Sequence, residues 1–149
     1  MTSRPSRAWA VMLALGFCVT VLVSVVRSDD AADEWKAPPR AAARKNPIPA
    51  DDASIAAGKA AYAANCLACH GAKGKGDGPA APSLKRPVGD LSSQKAQEQT
   101  DGALFWKITE GRPPMPAFEK LLAEDQRWHV VNYIRTLASS PTTPKSTLP

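Results

Sequence analysis

The chain is poor in the residues that build large cores. Among 149 residues it has three Phe, four Trp and two Tyr, against fourteen Pro. Side chains alone therefore supply little apolar surface, and a domain this small often leans on a covalent or metal staple. Soft and imidazole donors are scarcer still, with three Cys, three Met and two His. Three cysteines is an odd number, and Cys18 is separated from Cys66 and Cys69 by a long hydrophilic stretch, so no disulfide framework is expected. No segment alternates polar and apolar residues with period two, which argues against strands, and no internal repeat is visible. A basic face is missing too. The net charge is +5, yet residues 51–140 hold eleven Lys/Arg and ten Asp/Glu. The excess charge sits at the ends, which leaves no electrostatic footprint for nucleic acid.

What is present divides the chain into four parts. Residues 1–28 form the first: a short basic head with Arg4 and Arg7, then an uncharged apolar run at 8–26 (AWAVMLALGFCVTVLVSVV). About 20 such residues span a bilayer as a helix. With Arg before the run and Asp29, Asp30, Asp33 and Glu34 after it, the rest of the chain is expected on the outer side. The run reads as an uncleaved anchor; a cleaved signal peptide and a lipidated Cys18 are the alternatives. In all three cases the remainder of the chain is exported, so the expected location is the periplasmic face of the cytoplasmic membrane, or the soluble periplasm after cleavage. Residues 29–51 read as an Ala/Pro-rich linker without apolar periodicity. A coil of about 25 residues would reach about 28 Å, and polyproline extension up to about 75 Å. Residues 52–139 read as the folded domain, and 140–149 as a Pro/Thr/Ser-rich disordered tail.

The domain reads all-α. A first helix is expected over 53–65, capped by Asp52 or Ser54; a second over 101–110, capped by Thr100 or Asp101 and closed by Gly111; a third over 124–138 with Glu124 and Asp125 in its first turn. The intervening irregular stretches, 71–99 and 112–118, are long for a compact domain unless something organises them.

That organiser is indicated by Cys66-Leu67-Ala68-Cys69-His70. C-x-x-C-H is the attachment signature of a c-type haem: two thiols for the porphyrin vinyl groups, and an adjacent imidazole for the iron. A structural zinc site would need four ligands, for which Cys18 and His129 are poor candidates. A thioredoxin-like C-x-x-C expects a βαβ setting that is missing here. The glycines at 71, 74, 76 and 78 lack the preceding strand and the following Gly-Lys-Ser/Thr of a phosphate loop, and read as a flexible turn past the haem.

A second iron ligand has few sources. Met115 sits in Arg112-Pro113-Pro114-Met115-Pro116, where prolines stiffen a non-helical segment. His129 falls with Asn132 and Thr136 opposite the apolar face formed by Val130, Val131, Tyr133, Ile134, Leu137 and Ala138, and so reads as a solvated surface residue. Met115 is the expected sixth ligand; His129 and an open or water-bound position are the alternatives.

Taken in order, these residues resemble the class I cytochrome c family over residues 55–137. Gly58 and Tyr62 look like the glycine and aromatic where the terminal helices cross. Pro82-Ser83-Leu84 looks like the family's P-x-L. Met115-Pro116 looks like its Met-loop, and Trp128-x-x-Val131-x-Tyr133-Ile134 like its C-terminal helix. The resemblance implies a small bundle of three to four helices wrapped around one covalent haem c, here preceded by a membrane helix. It implies that Pro82 offers its carbonyl to the Nδ1–H of His70, that Leu84 packs on the ring, and that His70 and Met115 are the metal ligands. Such saturated ligation points to outer-sphere transfer of single electrons between membrane redox partners, without a small-molecule substrate. A haem-bearing subunit of a larger oxidoreductase complex, and a haem sensor or peroxidase-like protein with a labile Met115, are the other readings.

Overall fold

The computed structural model describes residues 35–138. The apolar run at 8–26 and the tail at 140–149 lie outside the described residues. Among the described residues no helix is long and apolar enough to cross a membrane, and no strand occurs beyond one isolated bridge between Arg112 and Met115.

The elements in chain order are α1 (Pro39–Ala42), α2 (Asp52–Asn65), α3 (Leu67–His70), a 3-10 turn (Ala81–Ser83), α4 (Gln94–Gln97), α5 (Asp101–Glu110) and α6 (Glu124–Thr136). The three expected helices are α2, α5 and α6, joined by single turns. Their ends follow from side-chain chemistry. Asp51, one residue earlier than expected, caps α2 by accepting the Ser54 N–H at 2.8 Å. Thr100 caps α5, and Gly111 closes it with φ 64°, a conformation that favours glycine. At α6 the cap residue is Ala123, which has no acceptor; instead its N–H donates to Gln126 Oε1 at 3.0 Å, half of a capping box.

Helices α2 and α6 cross at Gly58. A Cβ there would overlap the His129 carbonyl, so only glycine lets the backbones come this close. Beside the crossing, Tyr62 and Tyr133 meet edge to face at 5.1 Å, an arrangement that contributes about 0.5–1.5 kcal/mol beyond burial. The core lies between α5 and α6: Leu104, Phe105 and Ile108 meet Trp128, Val130, Val131 and Ile134, with Phe118 and Leu122 closing one end. Phe105 and Trp128 stack at 3.9 Å and 16°. Arg135 binds the far end by donating to Asp101 Oδ1 at 2.6 Å and to the carbonyls of Gln97 and Gln99.

Residues 36–51 depart from the free linker expected of them. They form a strap over α5 and α6. Thr100 Oγ1 donates to the Ala42 carbonyl at 2.6 Å. Arg44 pairs with Glu124 at 2.7 Å while its guanidinium lies 4.8 Å from the Phe105 ring and 5.4 Å from Trp128. Asn46 donates to Asn132 Oδ1 at 2.7 Å, and Asn132 Nδ2 donates in turn to Ser54 Oγ at 2.7 Å and to the carbonyls of Ile48 and Pro49 at 3.2 Å. The strap holds by hydrogen bonds that its backbone carbonyls accept, by the polar contacts of Arg44 and Asn46, and by cation–π contact, none of which leaves a hydrophobic period to read.

The same contacts correct the placement of His129 and Asn132. Asn132 is buried, and His129 is half-buried with Nδ1 2.8 Å from Ser54 Oγ. The strap and the start of α2 cover the polar face of α6 at Asn132 and partly at His129, while Thr136 stays exposed.

Candidate haem site

Helix α3 is a single turn, and that turn sets the chemistry. The N–H groups of Cys69 and His70 both donate to the Cys66 carbonyl, at 3.1 and 2.9 Å. Positions i, i+3 and i+4 share one helical face, so the two thiols and the imidazole project together. The turn is fastened to α2 by the Cys66 N–H, which donates to the Tyr62 carbonyl at 2.8 Å, and by Tyr62 Oη, which donates to the Gly71 carbonyl at 2.8 Å. Both cysteines are half-buried, and no disulfide joins them. Burial, reinforced by neighbouring Cys69, pushes the Cys66 thiol up to about 12. At neutral pH it is a neutral thiol, unlike the depressed thiolates of redox C-x-x-C motifs.

The glycine-rich stretch is pinned where a flexible turn was expected. The N–H groups of Gly76, Gly78 and Ala80 donate to the carbonyls of His70, Cys69 and Ala68 at 2.9, 3.1 and 2.8 Å. Gly76 has φ 76°, and a Cβ on it would overlap the Val88 carbonyl. The loop is a fitted collar around α3, and glycine serves close approach as much as conformational freedom.

His70 is half-buried, and its Nδ1 lies 3.2 Å from the Gly89 carbonyl. Burial lowers its pKa, and the Gly89 contact only partly opposes this. A neutral imidazole donating Nδ1–H to a carbonyl keeps the Nε2 lone pair for a metal. The acceptor is the correction here. The P-x-L resemblance assigned this role to Pro82, but Pro82 is exposed in the 3-10 turn, and the His70 hydrogen bond runs to Gly89. The physical reason is the path of the loop: the collar carries residues 79–84 past the turn, and the following segment from Pro87 returns to present its carbonyls. Leu84 is half-buried just after the 3-10 turn.

Met115 stands on a short hairpin. Its N–H donates to the Arg112 carbonyl at 2.8 Å, and its carbonyl accepts from the Arg112 N–H at 2.9 Å, with cis Pro113–Pro114 between them. Gly111, with φ 64°, starts this hairpin where a Cβ would strike Pro116. The Phe118 N–H fastens its far side to the Ile108 carbonyl at 3.1 Å. Met115 packs half-buried on the core cluster. His129, the other soft donor, is occupied at Ser54 and the α2–α6 crossing.

The donor set fits a porphyrin better than a bare ion. Two cysteine sulfurs and an imidazole share one face, and a thioether is held on a separate stiff hairpin. Among the described residues no cluster of three or more His, Cys, Asp or Glu is arranged to hold a metal ion.

Comparison with known proteins decides the family. The Cytochrome c family profile matches residues 55–138. The chain belongs to the cytochrome c family. It is 35% identical over 82 residues to cytochrome c6 of Leptolyngbya boryana, covering 55% of this chain and 91% of that protein. It is 34% identical over 98 residues to cytochrome c6 of Rippkaea orientalis, covering 62% and 78%. Among solved structures it is similar to a chain of the Kuenenia stuttgartiensis reducing HAO-like protein complex, with TM-score 0.58 and 30% identity over 62% of this chain. It spans about half of that longer chain, 47%. This cytochrome, all-helical over its described residues, is therefore a monohaem c-type protein whose cofactor is covalent haem c, and a carrier of electrons. The strap at 36–51 precedes the matched region.

Sequence reasoning missed Gly89 and the residues that hold it. A signal was available: Asp90-Leu91-Ser92 has the pattern of an Asx turn. It was masked by the closer match of Pro82-Ser83-Leu84 to a familiar motif.

Proposed function

We propose that this cytochrome is a membrane-tethered carrier that passes single electrons between respiratory partners. The observation that carries this reading is the α3 turn, where Cys66, Cys69 and a neutral, oriented His70 lie on one face. Cys66 and Cys69 would form the thioethers, His70 and Met115 would ligate the iron, and Leu84 would pack on the ring. When bound, haem supplies a reversible Fe(III)/Fe(II) couple. The chain's own part is to hold that couple without reorganisation. Gly89 orients the imidazole. The Arg112–Met115 hairpin presents a thioether, which raises the reduction potential relative to a second histidine. With His70 and Met115 both engaged, substrate access to the iron would be closed and transfer would be outer-sphere. Lys73, Lys75 and Lys85 are exposed near this turn and suit an acidic partner surface.

The apolar run at 8–26 supports tethering on the periplasmic side, with soluble release after cleavage as the alternative. The likeness to a chain of a reducing HAO-like complex favours a second reading, that of a haem-bearing subunit in a larger membrane assembly. Stoichiometric co-purification of partners from detergent extracts distinguishes the subunit from the mobile carrier, and release from cells without detergent overturns the tether.

The decisive test of the site is Met115→Ala in the haem-loaded protein. The Fe(III)–thioether charge-transfer band should vanish and the reduced protein should become able to bind carbon monoxide. A wild-type protein that already binds carbon monoxide readily would refute axial saturation and favour a sensor or peroxidase-like role.

A further inference from the structure

The hydrogen bond from His70 ends on the carbonyl of a residue that has no side chain to hold it. Gly89 is exposed, and a Cβ built on it would meet nothing within 4 Å. Side-chain packing at position 89 therefore does not aim this carbonyl. That carbonyl belongs to the peptide group linking Gly89 to Asp90, so its direction follows the backbone of Asp90. Asp90 is clamped. Its Oδ1 accepts from the Ser92 N–H at 2.8 Å and from Ser92 Oγ at 2.6 Å, and its carbonyl accepts from Ser93 Oγ at 2.6 Å. The next residue is also tied: the Leu91 N–H donates to the Gly74 carbonyl at 2.6 Å, and the Leu91 carbonyl accepts from Gln97 Nε2 at 2.7 Å. An Asx turn of this kind fixes backbone direction through a side chain.

We infer that Asp90 is a positioning residue for the haem ligand: its Asx turn onto Ser92 aims the Gly89 carbonyl at Nδ1–H of His70 and thereby tunes the iron's reduction potential. The inference rests on the reading that His70 ligates the iron. A donated Nδ1–H gives the imidazole more anionic character and makes it a better donor to Fe(III). When the turn loosens, the hydrogen bond weakens, the ligand donates less, and Fe(II) gains. The turn needs an acceptor oxygen at position 90 but no charge there, and this separates positioning from a simple field effect.

The test compares Asp90→Ala, Asp90→Asn and Ser92→Ala in the full-length haem protein. Potentiometric titration reads the iron couple. Nitrogen-15 NMR of the reduced protein reads exchange of the His70 Nδ1 proton with solvent. Asp90→Ala should shift the equilibrium toward Fe(II) by about tenfold, which is about 59 mV for one electron, and should speed Nδ1–H exchange at least about tenfold. Asp90→Asn keeps the acceptor and should restore both readouts to near wild type, and Ser92→Ala should fall between. Two results overturn the inference: a folded Asp90→Ala protein with unchanged potential and exchange, or an Asp90→Asn protein shifted as far as Asp90→Ala, which would make the effect one of charge. If the wild-type spectrum itself lacks a histidine-ligated haem, the underlying site reading fails instead, and the two failures are told apart in the first measurement.

Discussion

Asn132→Ala tests whether the strap is part of the folded domain. Asn132 is 4% exposed, and its amide ties α6 to two segments: the strap, through Asn46 and the carbonyls of Ile48 and Pro49, and α2, through Ser54. Its two amide hydrogens are shared among three acceptors, so the group makes the equivalent of three hydrogen bonds. A neutral hydrogen bond contributes about 1 kcal/mol net, and buried partners left unpaired cost more. The expected loss is about 3 kcal/mol. For a domain of this size each kcal/mol moves Tm by about 4–5 °C, so the melting temperature should fall by about 12–15 °C. None of Asn132's partners belongs to α3 or the Met115 hairpin, so the visible absorption should not change. The assay is thermal unfolding followed by circular dichroism in both redox states, repeated on a chain lacking residues 36–50. In that shortened chain only the Ser54 contact survives, and the same substitution should cost about 1 kcal/mol. A fall of less than about 3 °C in the full chain, or an equal fall in both chains, would refute the strap.

Gly58→Ala should be destabilising by about 1–3 kcal/mol, because the new methyl overlaps the His129 carbonyl at the α2–α6 crossing. In a helix without that crossing the same change would stabilise by up to about 1 kcal/mol, so the sign of the shift in a denaturant melt decides. Glu124 gives a pH signature. The hydrogen bond from Arg44 holds its carboxyl below the ordinary 4.5. Its contribution is therefore present above about pH 4.5 and is lost as pH falls through the lower folded value. Glu124→Gln should flatten this part of the acid limb in urea titrations run between neutral pH and pH 3, while an unchanged limb would show that the Arg44 contact is negligible in solution.

Helices α2, α5 and α6 were legible to within a residue or two because their signals are local: Thr100 and Gly111 bracket α5, and apolar residues recur at helical spacing on α6. The haem cofactor was legible for a stronger reason, since C-x-x-C-H concentrates its signature in five adjacent residues. The strap was not legible. Pro38, Pro39, Pro47 and Pro49 look like a linker from composition, and the partners of residues 36–51 on α5 and α6 lie more than fifty positions away. His129 and Asn132 were misplaced for the same reason: a helical phase angle separates polar from apolar faces but says nothing about which polar face another segment covers.

Local chemistry was thus enough to specify a covalent haem and an all-helical domain, because thiol spacing, caps and periodicity act between near neighbours. Which carbonyl meets His70 was settled by the path of the loop after the collar, where Gly89 arrives and Pro82 does not. That choice depends on how residues 71–91 close around one turn of helix, and closure over such a distance is a property of the packed chain.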